Sequence, residues 1–376
     1  MLYLDLPSLS ELRALVRVRS DLCVSLYLPT TPLTRDVQAD RIALKNQLAE
    51  ALGQARAVQA DKRRLAALAD QVEELIDDDE FWAHQAHGLA VLATPDHVWT
   101  FRLPSRLEPV VEVSDRLYLK PLYRASTFPH EAFVLALAQG SVRLLELPPD
   151  LPLQEVRVEG LPSDAADAVR RSTLADRSPK GRIQGSEGRK VRLVQYARAV
   201  DAAIRPVLAG RDLPLVLAAT RPLDDIFRRV CSVPGLVDET IPLSPDGGIA
   251  DSELATLARG VVDRLRAAQV AQVRELFASR ADQHRATTDL VTVARAASWG
   301  AVDTLLVDID RHLPGTVDEE TGEVELADRP SALSYGVVDE IAGRTLLAGG
   351  RVLGVRAADM PGGAAVAAIL RRPLAG

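Results

Sequence analysis

Cysteine is nearly absent from this chain. Only Cys23 and Cys231 occur among 376 residues, far apart in sequence. Neither a disulfide framework nor a Cys-x-x-Cys metal site is therefore available. No uninterrupted apolar run approaches the ~18 residues that a membrane-spanning helix needs. The segment Met1 to Ser10 lacks the basic start and apolar stretch of a secretory signal, so a cytoplasmic protein with no membrane partner is expected. A basic excess is missing too. The formal net charge is −7, which argues against a surface coated for non-specific nucleic-acid binding. Lysine supplies five of the 45 basic residues. The arginines are spread along the whole chain beside abundant Ala, Leu and Val, as a GC-rich coding sequence would produce. No GxSxG elbow, Walker A loop or GxGxxG fingerprint stands in a strand-to-helix context, and no pattern calls for a cofactor.

What is present is a soluble-type composition, 47% hydrophobic, in a chain long enough for two or three domains. Ser8-Leu-Ser-Glu11 has capping-box spacing and opens a helix through about Arg19. Leu22 to Leu28 reads as a buried strand. Two amphipathic helices cover about Asp36 to Ile76, with a break near Ala60-Asp61. Gly88 to Thr94, His97 to Arg102 and Val110 to Val113 are strand candidates. Phe133 to Leu147 is the clearest hairpin, with Gln139-Gly140 as a two-residue turn in which glycine supplies positive φ. Gln154 to Val158 adds a third strand, and Ser163 caps a following helix. Helices at Val191–Leu208, Leu223–Cys231 and from Asp251 onward alternate with strands at Leu213–Ala219 and Leu236–Pro242. After Arg280, a helix Thr288–Trp299, a strand Val302–Val307 and a polar insertion 312–330 lead to a last helix. That helix stops at Gly349-Gly350, before strand Arg351–Val355, a Pro-Gly-Gly turn and the apolar run Ala365–Leu370. Helices alternating with strands argue for an α/β fold.

Few constellations carry chemistry. His84-x-x-His87 lacks a third ligand and reads as two boundary histidines at a helix end. Asp77 to Glu80 reads as a solvated acidic helix end, without the spacing of an EF-hand loop. The first strand of the hairpin has no acid, and Glu146 stands alone on the second. The paired-metal chemistry of nucleases is disfavoured for that reason. The most suggestive element is the loop Asp176 to Lys190, DRSPKGRIQGSEGRK. With Arg170 and Arg171 it holds seven basic residues against two acids, a local +5. Such a loop could dock against phosphates, although its composition favours a solvated loop tip more.

The segment VVDEIAGRTLLAGGRVLGVRAADMPGGAAVAAILRR, with Gly300-Ala-Val-Asp-Thr-Leu-Leu306, Cys23-Val-Ser-Leu-Tyr-Leu-Pro29 and Arg41-Ile-Ala-Leu-Lys-Asn-Gln-Leu48, resembles the bacterial relatives of archaeal and eukaryotic class-I peptide-chain release factors and Pelota. The resemblance implies three domains: an N-terminal α+β domain (1–126), a ribonuclease H-like middle domain (127–280) and an L7Ae-like α/β C-terminal domain (281–376). It implies a protein that binds the ribosome or tRNA, in rescue or on idle ribosomes, with partner contacts through the C-terminal domain. The family's hydrolytic members carry Gly-Gly-Gln at the tip of the middle-domain loop. The matching loop here reads Gln184-Gly185-Ser186. The codon-reading motif Asn-Ile-Lys-Ser would fall near Thr34 to Arg41, which reads TRDVQADR. No catalytic and no metal-binding residue is therefore assigned. Lys180, Arg182, Gln184, Gly185, Arg189 and Lys190 are the RNA-facing candidates. A divergent peptidyl-tRNA or ester hydrolase using Gln184 or a nearby arginine is the second reading. A scaffold that has lost RNA binding is the third.

Overall fold

The computed structural model describes residues 4–31, 37–104, 106–127, 131–148, 152–168, 170, 186–211, 213–329, 331 and 333–373. The chain divides into two compact units, one of residues 1–128 with 270–376 and one of residues 129–269. Mixed helix–sheet layering, as the sequence reading expects, holds in both.

The middle unit is a five-stranded sheet in the order β7-β6-β5-β8-β9. Its strands are β5 (Ala132–Leu137), β6 (Val142–Leu147), β7 (Gln154–Glu155), β8 (Leu215–Ala218) and β9 (Leu236–Ile241). The β5–β6 hairpin is antiparallel, whereas β8 and β9 join in parallel. Central β5 is buried at every position. Phe133, Leu135 and Leu137 face one core, shared with helices Ser186–Leu208 and Leu223–Val230. Ala132, Val134 and Ala136 face the other core, beneath helix Asp251–Ala281. A strand covered on both faces reads as a continuous apolar run, and the period of two sends alternate residues to opposite layers.

Three local expectations in this unit need correction. The hairpin turn closes at Ala138 N–H to Ser141 C=O, 2.9 Å, but Gly140 does not have positive φ. Its lack of a side chain matters because Asp246 accepts from the Gly140 N–H at 3.0 Å, and a Cβ would meet that carboxylate at 3.0–3.2 Å. Asp164, rather than Ser163, accepts the N–H of Asp167 in the first turn after it. Helix Ser186–Leu208 begins five residues before the expected Val191, so Ser186 to Lys190 is helical rather than loop.

The other unit carries three sheets. The first, β3-β2-β1-β4, is antiparallel throughout: β1 (Cys23–Pro29), β2 (Gly88–Thr94), β3 (His97–Leu103) and β4 (Val110–Ser114). Helices Val37–Ala57 and Lys62–Asp77 cover one face, where Leu44, Leu48, Leu68 and Val72 meet Val24, Leu26 and Leu89. Asp61 caps the second helix, at the expected break. Ser8 and Glu11 do form a capping box, on helix Leu9–Val16.

The second sheet has the order β10-β16-β11-β15, with β10 (Ala286–Thr287), β11 (Val302–Asp308), β15 (Arg351–Val355) and β16 (Val366–Leu370). Its helices are Leu290–Ser298 and Val337–Leu347. The two sheets and their helices share one core: Tyr27 and Leu92 of the first sheet and Leu12 of helix Leu9–Val16 lie with Leu305 of the second sheet and with Val338 and Ile341 of helix Val337–Leu347. The segment expected as a polar insertion is structured. Its strand β12 (Pro314–Val317) is central in a small third sheet, pairing with β13 (Val324–Leu326) on one side and with β14 (Tyr335–Gly336) on the other.

The paired glycines after helix Val337–Leu347 serve two needs. Gly349 has φ +77°, which a Cβ disfavours. Gly350 has no such φ, yet a Cβ there would lie 2.8 Å from the Val302 carbonyl oxygen and 2.7 Å from Thr345 Cγ2. Gly350→Ala must therefore displace backbone. A loss of about 1–3 kcal/mol in unfolding free energy is expected by urea titration, and a neutral result would contradict the packing.

Candidate functional site

The basic segment singled out in the sequence meets the structure at the start of helix Ser186–Leu208. Lys180, Arg182, Gln184 and Gly185 lie outside the described residues. Gly188 is buried, whereas Arg189 and Lys190 are exposed on the first turns. Arg192 and Arg198 extend the exposed cations, and no acid occurs from 188 to 200. Arg192 Nε donates to the Gly188 carbonyl at 3.2 Å. No ion pair among the described residues engages these four side chains.

What holds this helix is its apolar stripe. Leu193, Tyr196, Ala197, Val200 and Ile204 are buried against β5 and β6. Tyr196 Oη donates to the Ala138 carbonyl at 2.9 Å, tying the helix to the hairpin turn. Upstream, Ala168 is buried in the same core. Both ends of the basic stretch are thus anchored in one layer. Chemically, exposed cations on the first turns of an anchored helix attract phosphates but offer no nucleophile or general base.

The remaining sequence candidates are structural. Helix Asp79–Ala83 ends before His84, so His84 and His87 share no helical face. Asp78 caps that helix by accepting from Glu80 and Phe81 N–H, and Asp79 pairs with Arg41. Among the described residues, no three His, Cys, Asp or Glu side chains form a metal-holding group. No described helix is long and apolar enough to cross a membrane.

Sequence reasoning missed a buried polar cluster in the other unit. Asp339 and Glu340 sit on the first turn of helix Val337–Leu347, both buried. Asp339 accepts the Leu119 N–H at 3.0 Å. Its carboxyl is pushed up to about 8, chiefly by burial. Glu112 on β4 is pushed up to about 7 for the same reason. Lys120, 3% exposed, donates to the Arg311 carbonyl, and burial lowers its pKa while Asp339, Asp308 and Asp310 oppose that. His312 stands 3.9 Å from Glu112 and edge-on to Tyr118. Burial, then the Lys120 charge, holds it below the usual imidazole range.

Glu340 behaves differently. Burial alone would raise its pKa, but Arg116 and Arg344 pull it below the usual carboxylate range. They pair with it at 2.7 and 2.8 Å. Arg116 also lies 3.7 Å over the Tyr335 ring. Arg344 spends its remaining N–H groups on Ser298 and on the Val317 and Asp318 carbonyls. The signal in the sequence was an Asp-Glu pair inside an apolar helix and a lone lysine in LYLKPLY.

With these geometries established, the comparisons with known proteins bear on the middle unit. The model of bacterial archaeo-eukaryotic release factor family 11 matches residues 129–268. The resemblance read from the sequence is thereby borne out, on a segment other than the one that first carried it. No curated protein matches the chain. Among solved structures, the chain is similar to yeast (S. cerevisiae) Dom34, a translation termination-like factor, at 12% identity, with 74% of each chain covered and a TM-score of 0.42. It is similar to Archaeoglobus fulgidus Pelota at 13% identity, covering 99% of this chain and 95% of that one, with a TM-score of 0.33. An archaeal translation termination factor, aRF1, matches at 14% identity over 97% and 99% of the two chains, with a TM-score of 0.22.

Proposed function

We propose that this release-factor-type chain is a cytoplasmic protein that engages the ribosome or tRNA through the basic start of helix Ser186–Leu208. The observation that carries the reading is the run of four exposed cations, Arg189, Lys190, Arg192 and Arg198, with no acid from 188 to 200 in a chain of net charge −7. Positive charge concentrated on one anchored helix, against an acidic background, favours a phosphate backbone over non-specific coating. The family match over residues 129–268 supports translation as the setting. In this reading the middle domain is ribonuclease H-like, the N-terminal domain α+β and the C-terminal domain L7Ae-like, with the boundaries 1–126, 127–280 and 281–376. Gln184-Gly185-Ser186 replaces Gly-Gly-Gln and TRDVQADR replaces the codon-reading motif, so the role is ribosome rescue or occupancy without codon-directed release.

The test is sucrose-gradient sedimentation with ribosomes at several salt concentrations. The triple variant Arg189→Glu, Lys190→Glu, Arg192→Glu is expected to bind at least about tenfold more weakly and to show a shallower salt dependence. All three side chains are exposed, so circular dichroism should be unchanged. A wild-type chain that never migrates with ribosomes, or a variant that migrates as well as wild type, refutes the reading.

A further inference from the structure

Helix Lys62–Asp77 carries its charges against its own dipole. After the cap its first turn holds Lys62, Arg63 and Arg64 and no acid, and its last turn holds no base. A helix N-terminus is electropositive and its C-terminus electronegative, so both ends are placed unfavourably. The Asp61 carboxylate, which accepts from the Arg63 and Arg64 N–H groups, offsets part of this. Arg64 is engaged by Asp21 and Asp96. Lys62 and Arg63 make no ion pair among the described residues.

The charges share one face. Leu65, Leu68, Val72 and Ile76 form the buried side. Lys62, Arg63, Ala66, Ala67, Asp70, Glu73, Glu74 and Asp77 are all exposed, and their spacing stacks them along the opposite side. That face reads base, alanine, acid from one end to the other. Such a pattern is complementary to itself when reversed.

We propose that this face is a two-fold interface between two copies of this chain. An antiparallel pairing with its axis level with Leu68 sets Lys62 opposite Glu74 and Arg63 opposite Glu73 of the second copy. The symmetry repeats both pairs. Ala66 and Ala67 fall at the crossing, where small side chains let the helices approach. A groove of about 680 Å³ beside the crossing, lined by Leu52, Arg56, Ala60 and Leu65 among others, adds apolar surface that exposed ion pairs alone lack. The parallel arrangement opposes like charges, so orientation is set by repulsion as well as attraction. The second copy also supplies the counter-charges that each helix's own dipole denies it.

Sedimentation velocity of the full chain tests this. The wild type is expected to show a concentration-dependent monomer–dimer equilibrium, the weak association of a small charged interface. Its association constant should fall at least about tenfold between ~50 and ~500 mM salt. Lys62→Glu with Arg63→Glu, and separately Glu73→Lys with Glu74→Lys, should each give monomers. Both pairs of changes align the helix charges with its dipole, so each variant should melt at or above the wild-type temperature. An equimolar mixture of the two should restore the dimer. A monomeric wild type, a dimer indifferent to either variant, or a mixture that stays monomeric overturns the proposal. An anionic partner other than this chain is the outcome if Lys62→Glu with Arg63→Glu abolishes capture of that partner while the wild type sediments as a monomer.

Discussion

Asp339→Asn should raise the thermal stability of the chain far more at pH 9 than at pH 5. The native state buries this carboxyl among Tyr27, Tyr118 and Tyr123, whose own ionisation is opposed by the same burial. Its pKa moves from 3.8 to about 8. A folded-state pKa above the unfolded one means that the native state holds the proton longer. Stability on this account is fully present below the unfolded pKa and is lost as pH rises through the folded pKa. Each pH unit inside that window costs up to about 1.4 kcal/mol. Glu112, moved from 4.5 to about 7, adds loss of the same sign over a narrower window. Glu340 has the opposite sign: its depressed pKa contributes stability that disappears only as pH falls. Asparagine keeps an oxygen to accept the Leu119 N–H but has nothing to ionise. Melting curves at pH 5, 7 and 9 should therefore fall steeply for wild type and less steeply for the variant. Parallel curves would remove Asp339 as the source.

Glu340→Ala is expected to lower the unfolding free energy by about 3–5 kcal/mol, measured by urea titration. The side chain is 7% exposed and Arg116 is 9% exposed. Deleting the carboxylate leaves Arg116 with only Asp115, and Arg344 without its Nε partner. Two guanidiniums already withdrawn from water then lose their shared counter-charge. The loss is larger than the sum of surface pairs because desolvation has already been incurred in the native state. Glu340→Gln, which keeps the shape and acceptor oxygen, should cost less than the alanine variant. A loss under about 1 kcal/mol for Glu340→Ala would place this network with ordinary surface pairs.

Part of this architecture was legible because it depends on local rules. The Ser8–Glu11 capping box, the Asp61 break, the β5–β6 hairpin and Gly349 after helix Val337–Leu347 all follow from side-chain spacing or backbone φ, which neighbours in sequence set, whereas Gly350 answers to the distant Val302 carbonyl. Helix starts were less legible. Ser186 to Lys190 reads as loop by its glycines and charge, yet Gly188 is buried and the helix extends through it. The strands β12 and β13 were hidden because Pro314, Gly315 and Glu325 carry little apolar signal. Their pairing is made by backbone hydrogen bonds and by Tyr335, whose Oη accepts the Val317 N–H at 2.7 Å.

The sequence by itself carried the family resemblance, the α/β layering of the middle unit and the basic character of residues 170–190, since each resides in local order and composition. Tertiary structure decided which buried charges meet. Glu112, Lys120, His312 and Asp339 span more than 220 residues of chain, and nothing in periodicity says that a strand, a helix start and a loop will converge. It also decided that residues 1–128 and 270–376 share one core. Apolar stripes state that a face must be covered but not by what, because the hydrophobic effect is non-directional; only the folded chain names the partner.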